Sequence, residues 1–224
     1  MVNPDLATKS LLRVGDGRGF IVAKRGSPWR RYVITAAHCL PIVPDPLGVR
    51  VGEEVFENLL GPLGGENTVW AQCLYVDPIA DAAVLHYVRG EGPDRSEAYG
   101  ELVDLLTPLR LGTAAPMETP AFLVALDGRL ISCTVRDSVD GQLYIANAID
   151  GIADGMSGTP VIRQDGAVVG IVSRAIEEHD GTTEGTSPHL ATTIPGWLLL
   201  ELGASGLLAT ARRELLRHRL SRHR

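Results

Sequence analysis

The stretch Thr35-Ala36-Ala37-His38-Cys39 follows a strand-like apolar run and places a histidine just beyond its end. A serine hydroxyl is a weak nucleophile at neutral pH, so it needs a base within hydrogen-bond reach and a third group that orients this base. Two later segments supply a carboxylate and a serine hydroxyl: Asp81-Ala82-Ala83-Val84-Leu85 and Gly155-Met156-Ser157-Gly158-Thr159-Pro160. The chain therefore carries an imidazole, a carboxylate and a hydroxyl in that order.

The order His38, Asp81, Ser157 resembles that of chymotrypsin-type proteases and differs from the orders of subtilisin and the α/β-hydrolases. The chain is similar to the trypsin-like serine proteases over about residues 9–195, with bacterial intracellular or HtrA-like peptidases as the nearest type. This resemblance implies an all-β fold of two six-stranded antiparallel Greek-key β-barrels with a C-terminal α-helix. It also implies a serine endopeptidase that hydrolyses peptide bonds through an acyl-enzyme intermediate.

The same resemblance assigns a role to each residue of the motifs. His38 is the general base, Asp81 fixes its tautomer, and Ser157 is the nucleophile. The backbone amides of Gly155 and Ser157 form the oxyanion hole. Asp77 is a second candidate for the acid, but it precedes a proline, and Asp-Pro typically starts a turn.

The segment at 170–175 resembles the strand that walls the specificity pocket in this family. Ser173 matches a serine whose hydroxyl supports the catalytic carboxylate. Arg174 and Ala175 stand where an aromatic residue and a glycine are usual, and the pocket floor falls near Gly151. The predicted substrate-binding residues are therefore Gly151, Ser173, Arg174 and Ala175. Because Gly151 is neutral, a preference for Lys or Arg does not follow.

Two residues of the nucleophile segment depart from the family pattern. Met156 stands where zymogen-type members carry an acidic residue, which predicts that propeptide removal does not activate this chain. Thr159 replaces the second glycine of the usual motif. The nearby Asp150 and Asp154 leave a preference for basic substrates open. The departures at Met156 and Thr159 leave three alternatives for the state of this site. The oxyanion loop is preformed, the domain is a catalytically weak or inactive peptide-binding module, or the domain is an effector protease that a partner activates.

Strand-like runs separated by turn residues occupy residues 10–88 and 121–193, and this pattern predicts a barrel or sandwich. The dipeptides Asp127-Gly128, Asp140-Gly141 and Asp165-Gly166 predict tight turns. Leucines and alanines at helical spacing after Pro195 predict an amphipathic helix, which the resemblance places on the second barrel. The predicted organisation is a barrel at 9–95 with His38 and Asp81, a linker at 96–119 with a short helix at 97–106, a barrel at 120–195 with Ser157, and a helix with a basic tail at 196–224.

The charge of the chain is unevenly distributed. Six arginines and one glutamate give residues 212–224 a net charge of +5, so the rest carries −11 against a total of −6. The tail is interpreted as a solvated helix end that benefits from cations, or as a contact for a regulatory protein. Apart from a polypeptide substrate, we expect no nucleic acid or membrane partner. No metal-ligand spacing or phosphate-binding loop occurs, so we expect no cofactor.

Composition and cysteine content bound the class of protein. The 224 residues are 45% hydrophobic and 21% charged, which is typical of a globular chain of one two-barrel unit or two domains. The three cysteines, Cys39, Cys73 and Cys133, are an odd number, and the N-terminal residues lack signal-peptide character. We expect a cytoplasmic protein with three free, buried thiols. A nucleophilic pair of Cys39 and His38 is the alternative, although sequence neighbours seldom face each other.

Overall fold

The computed structural model describes residues 7–24, 27–43, 50–51, 54–90, 93–113, 118–137, 142–148, 152–173, 189–196, 198 and 202. Most of these residues lie in antiparallel strands, and one helix, α1, spans Pro93–Asp104. No helix in this described part is both long enough and apolar enough to span a membrane. The strands are β1 Leu11–Val14, β2 Gly17–Lys24, β3 Ser27–Thr35, β4 Arg50–Val51, β5 Val55–Gly61, β6 Val69–Asp77, β7 Ala82–His86, β8 Arg110–Leu111, β9 Thr119–Val124, β10 Leu130–Asp137, β11 Gln142–Ala146, β12 Pro160–Arg163, β13 Ala167–Val172 and β14 His189–Thr193.

The first barrel is a closed ring of six strands in the order β6, β5, β1, β2, β3 and β7, with β7 pairing back to β6. Strand β4 adds to this ring outside β6. The side chains of β6 alternate between buried and partly exposed, as in a strand with one face on a core. Strand β7 is buried along its whole length. Closure leaves the ring without a free edge, which satisfies the backbone hydrogen bonds of every member.

The second barrel repeats this architecture. Its ring runs β12, β9, β10, β11, β14 and β13, and β13 closes on β12. The two-residue strand β8 pairs with β13 in parallel from outside the ring. Apolar side chains of the inner faces form a separate core that includes Leu123, Leu143 and Met156. The predicted fold of two six-stranded antiparallel barrels is confirmed.

The turns and the helices partly follow the sequence pattern. Gly128 and Gly166 both have positive φ, +85° and +81°, as the Asp-Gly dipeptides require. The third dipeptide, at 140–141, lies outside the described residues. Helix α1 covers most of the segment predicted as a short helix at 97–106, beginning and ending a few residues earlier.

The C-terminal segment is described only at a few positions. Leu198 and Leu202 are helical and buried, and they border one surface cavity with Leu74, Tyr75 and Val84 of the first barrel. The expectation that this segment packs on the second barrel is therefore wrong for these two residues. The basic tail lies outside the described residues.

The two barrels meet through a shared apolar surface and one buried arginine. Val124, Ile162 and Ile171 of the second barrel belong to the core cluster of the first. Arg18, at the start of β2, donates from its guanidinium to the carbonyls of residues 124, 125 and 126 at 3.0, 3.0 and 3.2 Å. Burial lowers the pKa of Arg18, but an arginine stays charged at any physiological pH.

The main chain of Arg18 also holds the segment around Ser157. Its amide donates to the Ser157 carbonyl at 2.8 Å, and its carbonyl accepts from the Thr35 hydroxyl at 2.7 Å. Gly158 follows Ser157 with φ +82°, and a Cβ there would overlap the Arg18 carbonyl oxygen. The close approach of these two backbone segments thus requires glycine at 158, both for its positive φ and for its lack of a side chain.

A Gly158→Ala substitution should destabilise the protein strongly. The left-handed backbone costs an alanine about 1–2 kcal/mol, and the overlap with Arg18 adds about 1–3 kcal/mol more. Gly166→Ala is the matched control, since Gly166 has the same φ but open space around its Cβ position. Urea unfolding of both variants measures the two costs. Equal losses would show that the barrel contact at Gly158 adds no constraint.

Candidate active site

His38 lies in a 3-10 helix, Ala37–Cys39, that begins just after β3 ends. Its ring nitrogen Nδ1 is 2.7 Å from Oδ2 of Asp81, and its backbone amide donates to Oδ1 of the same carboxylate at 3.0 Å. An ionised carboxylate can only accept hydrogen bonds, so Nδ1 carries the proton. In the neutral form of the ring, the other nitrogen, Nε2, carries the lone pair.

Asp81 stands immediately before β7 in a left-handed conformation with φ +46°, which aspartate tolerates better than most residues. Its Oδ2 also accepts from the Ser173 hydroxyl. Burial by itself would raise the pKa of Asp81, but hydrogen bonds from His38 and Ser173 outweigh burial and hold that pKa below its ordinary value. The carboxylate is thus ionised and held from both barrels.

The rival acid, Asp77, has a different role. Its Oδ1 accepts the backbone amides of Ile79 and Ala80 at 3.1 and 2.9 Å, which caps the turn between β6 and β7. The structure places Asp81, and not Asp77, against the imidazole.

Ser157 lies in the loop before β12 and borders the same cleft, of about 510 Å³, that His38 borders. Its hydroxyl donates to the Ser173 carbonyl at 3.1 Å. Ser173 therefore contacts two members of the predicted constellation, Asp81 through its side chain and Ser157 through its backbone. The structure brings these four predicted residues together from both barrels.

The backbone amides of the loop around Ser157 differ in whether they are hydrogen-bonded within the protein. Gly155 borders the cleft with φ +84°. The amides of residues 156, 158 and 159 are used inside the protein, by the carbonyls of 153, 172 and 156 respectively. Within the part of the chain that the structure describes, the amides of Gly155 and Ser157 donate to no backbone carbonyl. These are the two amides predicted to form the oxyanion hole.

Comparison with known proteins agrees with this geometry. The family model described as "Trypsin-like peptidase domain" matches residues 17–171, which is more than half of the chain. The chain belongs to the trypsin-like peptidase domain family. A search of curated proteins found no significant match.

Two solved structures are similar to this peptidase domain. The crystal structure of Rv3671c protease in its inactive form is 19% identical, covers 88% of this chain and 91% of its own, and has a TM-score of 0.51. The scabies mite inactivated protease paralogue S-D1 is 15% identical, covers 84% of this chain and 88% of its own, and has a TM-score of 0.49. At this identity the first likeness shows the shared fold.

Met156 is the main departure of this trypsin-like peptidase from its zymogen-type relatives. The side chain is 1% exposed in the core of the second barrel, and its sulfur accepts the Ala153 amide at 3.4 Å. Apolar packing thus holds the loop at the position where zymogen-type members use an acidic residue.

Thr159 has a backbone conformation that does not require glycine, but its buried hydroxyl has no hydrogen-bond partner among the described residues. The residue is fully buried, and its φ is not positive. Its carbonyl accepts the Val172 amide at 2.9 Å, which joins the loop to β13.

The cysteines of this peptidase domain are free and buried, as expected. Burial raises the pKa of the Cys39 thiol to about 11, and those of Cys73 and Cys133 to about 12. A nucleophilic cysteine needs a lowered pKa and access to solvent. Because His38 Nδ1 is also taken by Asp81, the geometry favours Ser157 over Cys39 as the nucleophile.

Part of the predicted specificity pocket is outside the described residues, namely Gly151, Arg174 and Ala175. The structure adds residues that sequence reasoning missed, because the cleft is also bordered by residues 15–17, 40–41 and 67. Gly17 is among them, and a Cβ there would lie 2.8 Å from the Ser157 carbonyl oxygen. The glycines at 15 and 17 signalled a turn, but not that the turn faces the nucleophile. Across the described ranges, no group of three His, Cys, Asp or Glu residues could hold a metal ion.

The Asp81 carboxylate should make stability depend on pH. Because its folded-state pKa is lowered, ionised Asp81 adds stability that is complete above its ordinary pKa of about 3.9 and is lost as the pH falls through the folded-state value. We expect the free energy of unfolding of the native protein to exceed that of Asp81→Asn at neutral pH, and the difference to shrink in acid. Urea unfolding between about pH 3 and pH 7 measures it. A difference that grows in acid would contradict the assignment, and Ser173→Ala should reduce the effect without abolishing it.

Substitutions at Met156 should separate packing from polarity. Met156→Leu keeps the buried volume and should cost less than about 1.5 kcal/mol, whereas Met156→Ala leaves a cavity and should cost about 2–5 kcal/mol. Met156→Asp places a carboxylate in the apolar core of the second barrel and should cost more than Met156→Leu. Thermal unfolding monitored by circular dichroism compares the three. An aspartate as stable as leucine would reveal a cation that the loop can reach.

Proposed function

We propose that this trypsin-like peptidase is a serine endopeptidase in which His38, Asp81 and Ser157 act as a catalytic triad. The observation that carries the proposal is the His38 to Asp81 contact of 2.7 Å at a cleft that Ser157 shares. Residues of both barrels meet at this cleft and supply the base, the orienting acid and the hydroxyl that acyl transfer needs.

The first step follows from the tautomer. The Nδ1–H group of His38 is hydrogen-bonded to Asp81 and keeps its proton. Nε2 of the same ring then accepts the Ser157 hydroxyl proton as Oγ attacks the carbonyl carbon of a peptide. The C–N bond then breaks, the imidazolium returns its proton to the leaving amine, and the acyl group stays on Oγ. Water, deprotonated by the same imidazole, releases the acid. Asp81 remains ionised throughout and stabilises the imidazolium.

Negative charge develops on the carbonyl oxygen of the substrate during attack. The amides of Gly155 and Ser157 are the proposed donors to it, because other amides of the loop are already used. Loss of one such donor typically costs about 3–4 kcal/mol of transition-state stabilisation. The buried Met156 holds these amides in place before substrate arrives, which supports the preformed loop among the three alternatives.

The substrate proposed is an extended polypeptide that crosses the cleft. We retain Gly151, Ser173, Arg174 and Ala175 as proposed pocket residues, and the neutral Gly151 does not favour basic side chains. Three buried, unpaired thiols support action in a reducing compartment such as the cytoplasm.

A second candidate function rests on the Ser157 side chain. Its hydroxyl donates to the Ser173 carbonyl, so its O–H bond must rotate away from Ser173 before His38 can accept the proton. A domain in which this rotation is unfavourable would bind peptides without cutting them, or would need a partner that breaks the Ser157 to Ser173 bond. The arginine-rich tail at 212–224 is a proposed contact for such a partner.

Labelling by a fluorophosphonate probe tests the proposed nucleophile. The native protein should react at Ser157, and Ser157→Ala should not, because the alanine has no oxygen to phosphonylate. His38→Ala should lower the rate of labelling and peptide hydrolysis by about 10⁴-fold. Ser132→Ala is the matched control, since Ser132 is an exposed serine on β10.

Three outcomes separate the candidates. Labelling of the native form that persists in Ser157→Ala would remove Ser157 as the nucleophile. Absence of labelling together with peptide binding that survives Ser157→Ala would favour the binding module. Labelling that appears only after a partner is added, and that is lost on deletion of residues 212–224, would favour partner activation.

A further inference from the structure

A second cavity, of about 340 Å³, lies on the first barrel away from the cleft. It is enclosed by residues of β3, by His86 at the end of β7 and the residues that follow, and by α1. Asp81 precedes β7, so His86 lies five residues along the strand, or roughly 16 Å away at about 3.3 Å per residue. The volume of the cavity is in the range of small-molecule binding sites.

Aromatic rings form one side of this cavity. The His86 ring lies 4.7 Å from Tyr32, 4.2 Å from Tyr87 and 5.6 Å from Tyr99, measured between ring centroids. The Tyr99 hydroxyl donates to the Arg31 carbonyl at 3.1 Å, which holds α1 against the middle of β3. At the rim, the Trp29 side chain is 74% exposed. The exposed rings of Trp29 and Tyr87 thus offer flat apolar surface to a planar ligand, above the buried rings of His86, Tyr32 and Tyr99.

Positively charged side chains also border this cavity. Arg30 and Arg89 are exposed, and no carboxylate of the described residues pairs with either of them. Both also border the neighbouring cavity, next to Lys24. The single carboxylate among the lining residues is Asp104, which is 3.5 Å from Arg31. A cationic rim on a body of net charge −11 favours an anion at this place.

Two buried polar atoms at this cavity have no hydrogen-bond partner among the described residues. They are Nδ1 of His86 and Nε of Arg31. The His86 side chain is 6% exposed. Burial, with added repulsion from Arg89 and Arg30, lowers the pKa of His86 to about 4, so its ring is neutral at physiological pH. A buried polar atom without a partner costs free energy that a ligand atom can recover.

We propose that this cavity binds a small aromatic anion, a planar ring that carries a phosphate or a carboxylate. The ring stacks against the Trp29 and Tyr87 side chains, and the anion binds the guanidinium groups of Arg30 and Arg89, whose planar donors suit either group. A polar atom of the ligand pairs with His86 Nδ1 after the imidazole ring turns toward the cavity, because this atom has almost no solvent exposure. The site is independent of Ser157 and of the proposed peptidase activity.

Four probes distinguish the parts of this proposal. The full-length protein is titrated with AMP, 4-hydroxybenzoate, adenosine and inorganic phosphate, by calorimetry and by tryptophan fluorescence. Saturable one-to-one binding of AMP or of 4-hydroxybenzoate is expected, and it identifies which anion is preferred. Adenosine or inorganic phosphate alone should bind at least about tenfold more weakly, since each lacks one half of the recognition. Binding of neither aromatic anion, or adenosine binding as tight as AMP, would overturn the proposal.

Variants locate the binding. The double variant Arg30→Gln, Arg89→Gln should weaken binding of the preferred anion by at least about tenfold, whereas Arg136→Gln, on the second barrel beside Glu118, should not. His86→Phe keeps the ring stack but removes Nδ1, and it should weaken binding severalfold while thermal unfolding confirms the fold. Ser157→Ala should leave binding unchanged, which separates this site from the peptidase. Unchanged affinity in the double arginine variant would place the ligand elsewhere and refute the assignment.

Discussion

Arg18 is buried where the two barrels meet, and its hydrogen bonds set the spacing between the two halves of the site. Its guanidinium donates hydrogen bonds to three carbonyls at and just after the end of β9, and its backbone amide donates to the carbonyl of Ser157. A buried guanidinium is costly unless its donors are used. The second barrel supplies those acceptors only in one position, so satisfying Arg18 also positions Ser157 relative to His38.

Asp81 provides the second link between the barrels. Its carboxylate accepts from the backbone and the ring of His38 in the first barrel and from the hydroxyl of Ser173 in the second. These donors hold the carboxylate ionised and fix the imidazole tautomer at the same time. The orientation of the base therefore depends on correct barrel packing, and a loosened interface would impair the site without removing any of its residues.

The loop that carries the proposed nucleophile, Ser157, relies on packing at the position where the resemblance implies a charged residue in zymogen-type members. A buried ion pair forms only when both partners are present and can serve as a switch, whereas the buried Met156 is in place whenever the core of the second barrel is folded. Control of this peptidase, if exerted at the loop, then acts through the Ser157 hydroxyl and its bond to Ser173. That bond is a single neutral hydrogen bond, which substrate or a partner can displace at a cost of about 1 kcal/mol.

The sequence by itself determined the motifs, most of the strands and the turns, because these depend on local chemistry: alternation, Asp-Gly turns, and glycines that flank a serine. Strand β5 escaped this reasoning, since the left-handed Asn58 and a register shift between Phe56 and Leu60 break its alternation. Only the tertiary structure decided that Gly17 faces Ser157, that Arg18 reaches Val124 across 106 positions, and that Leu198 meets the first barrel. The aromatic cavity is of the same kind. Such contacts join residues far apart in the chain, and neither partner carries a local pattern that names the other.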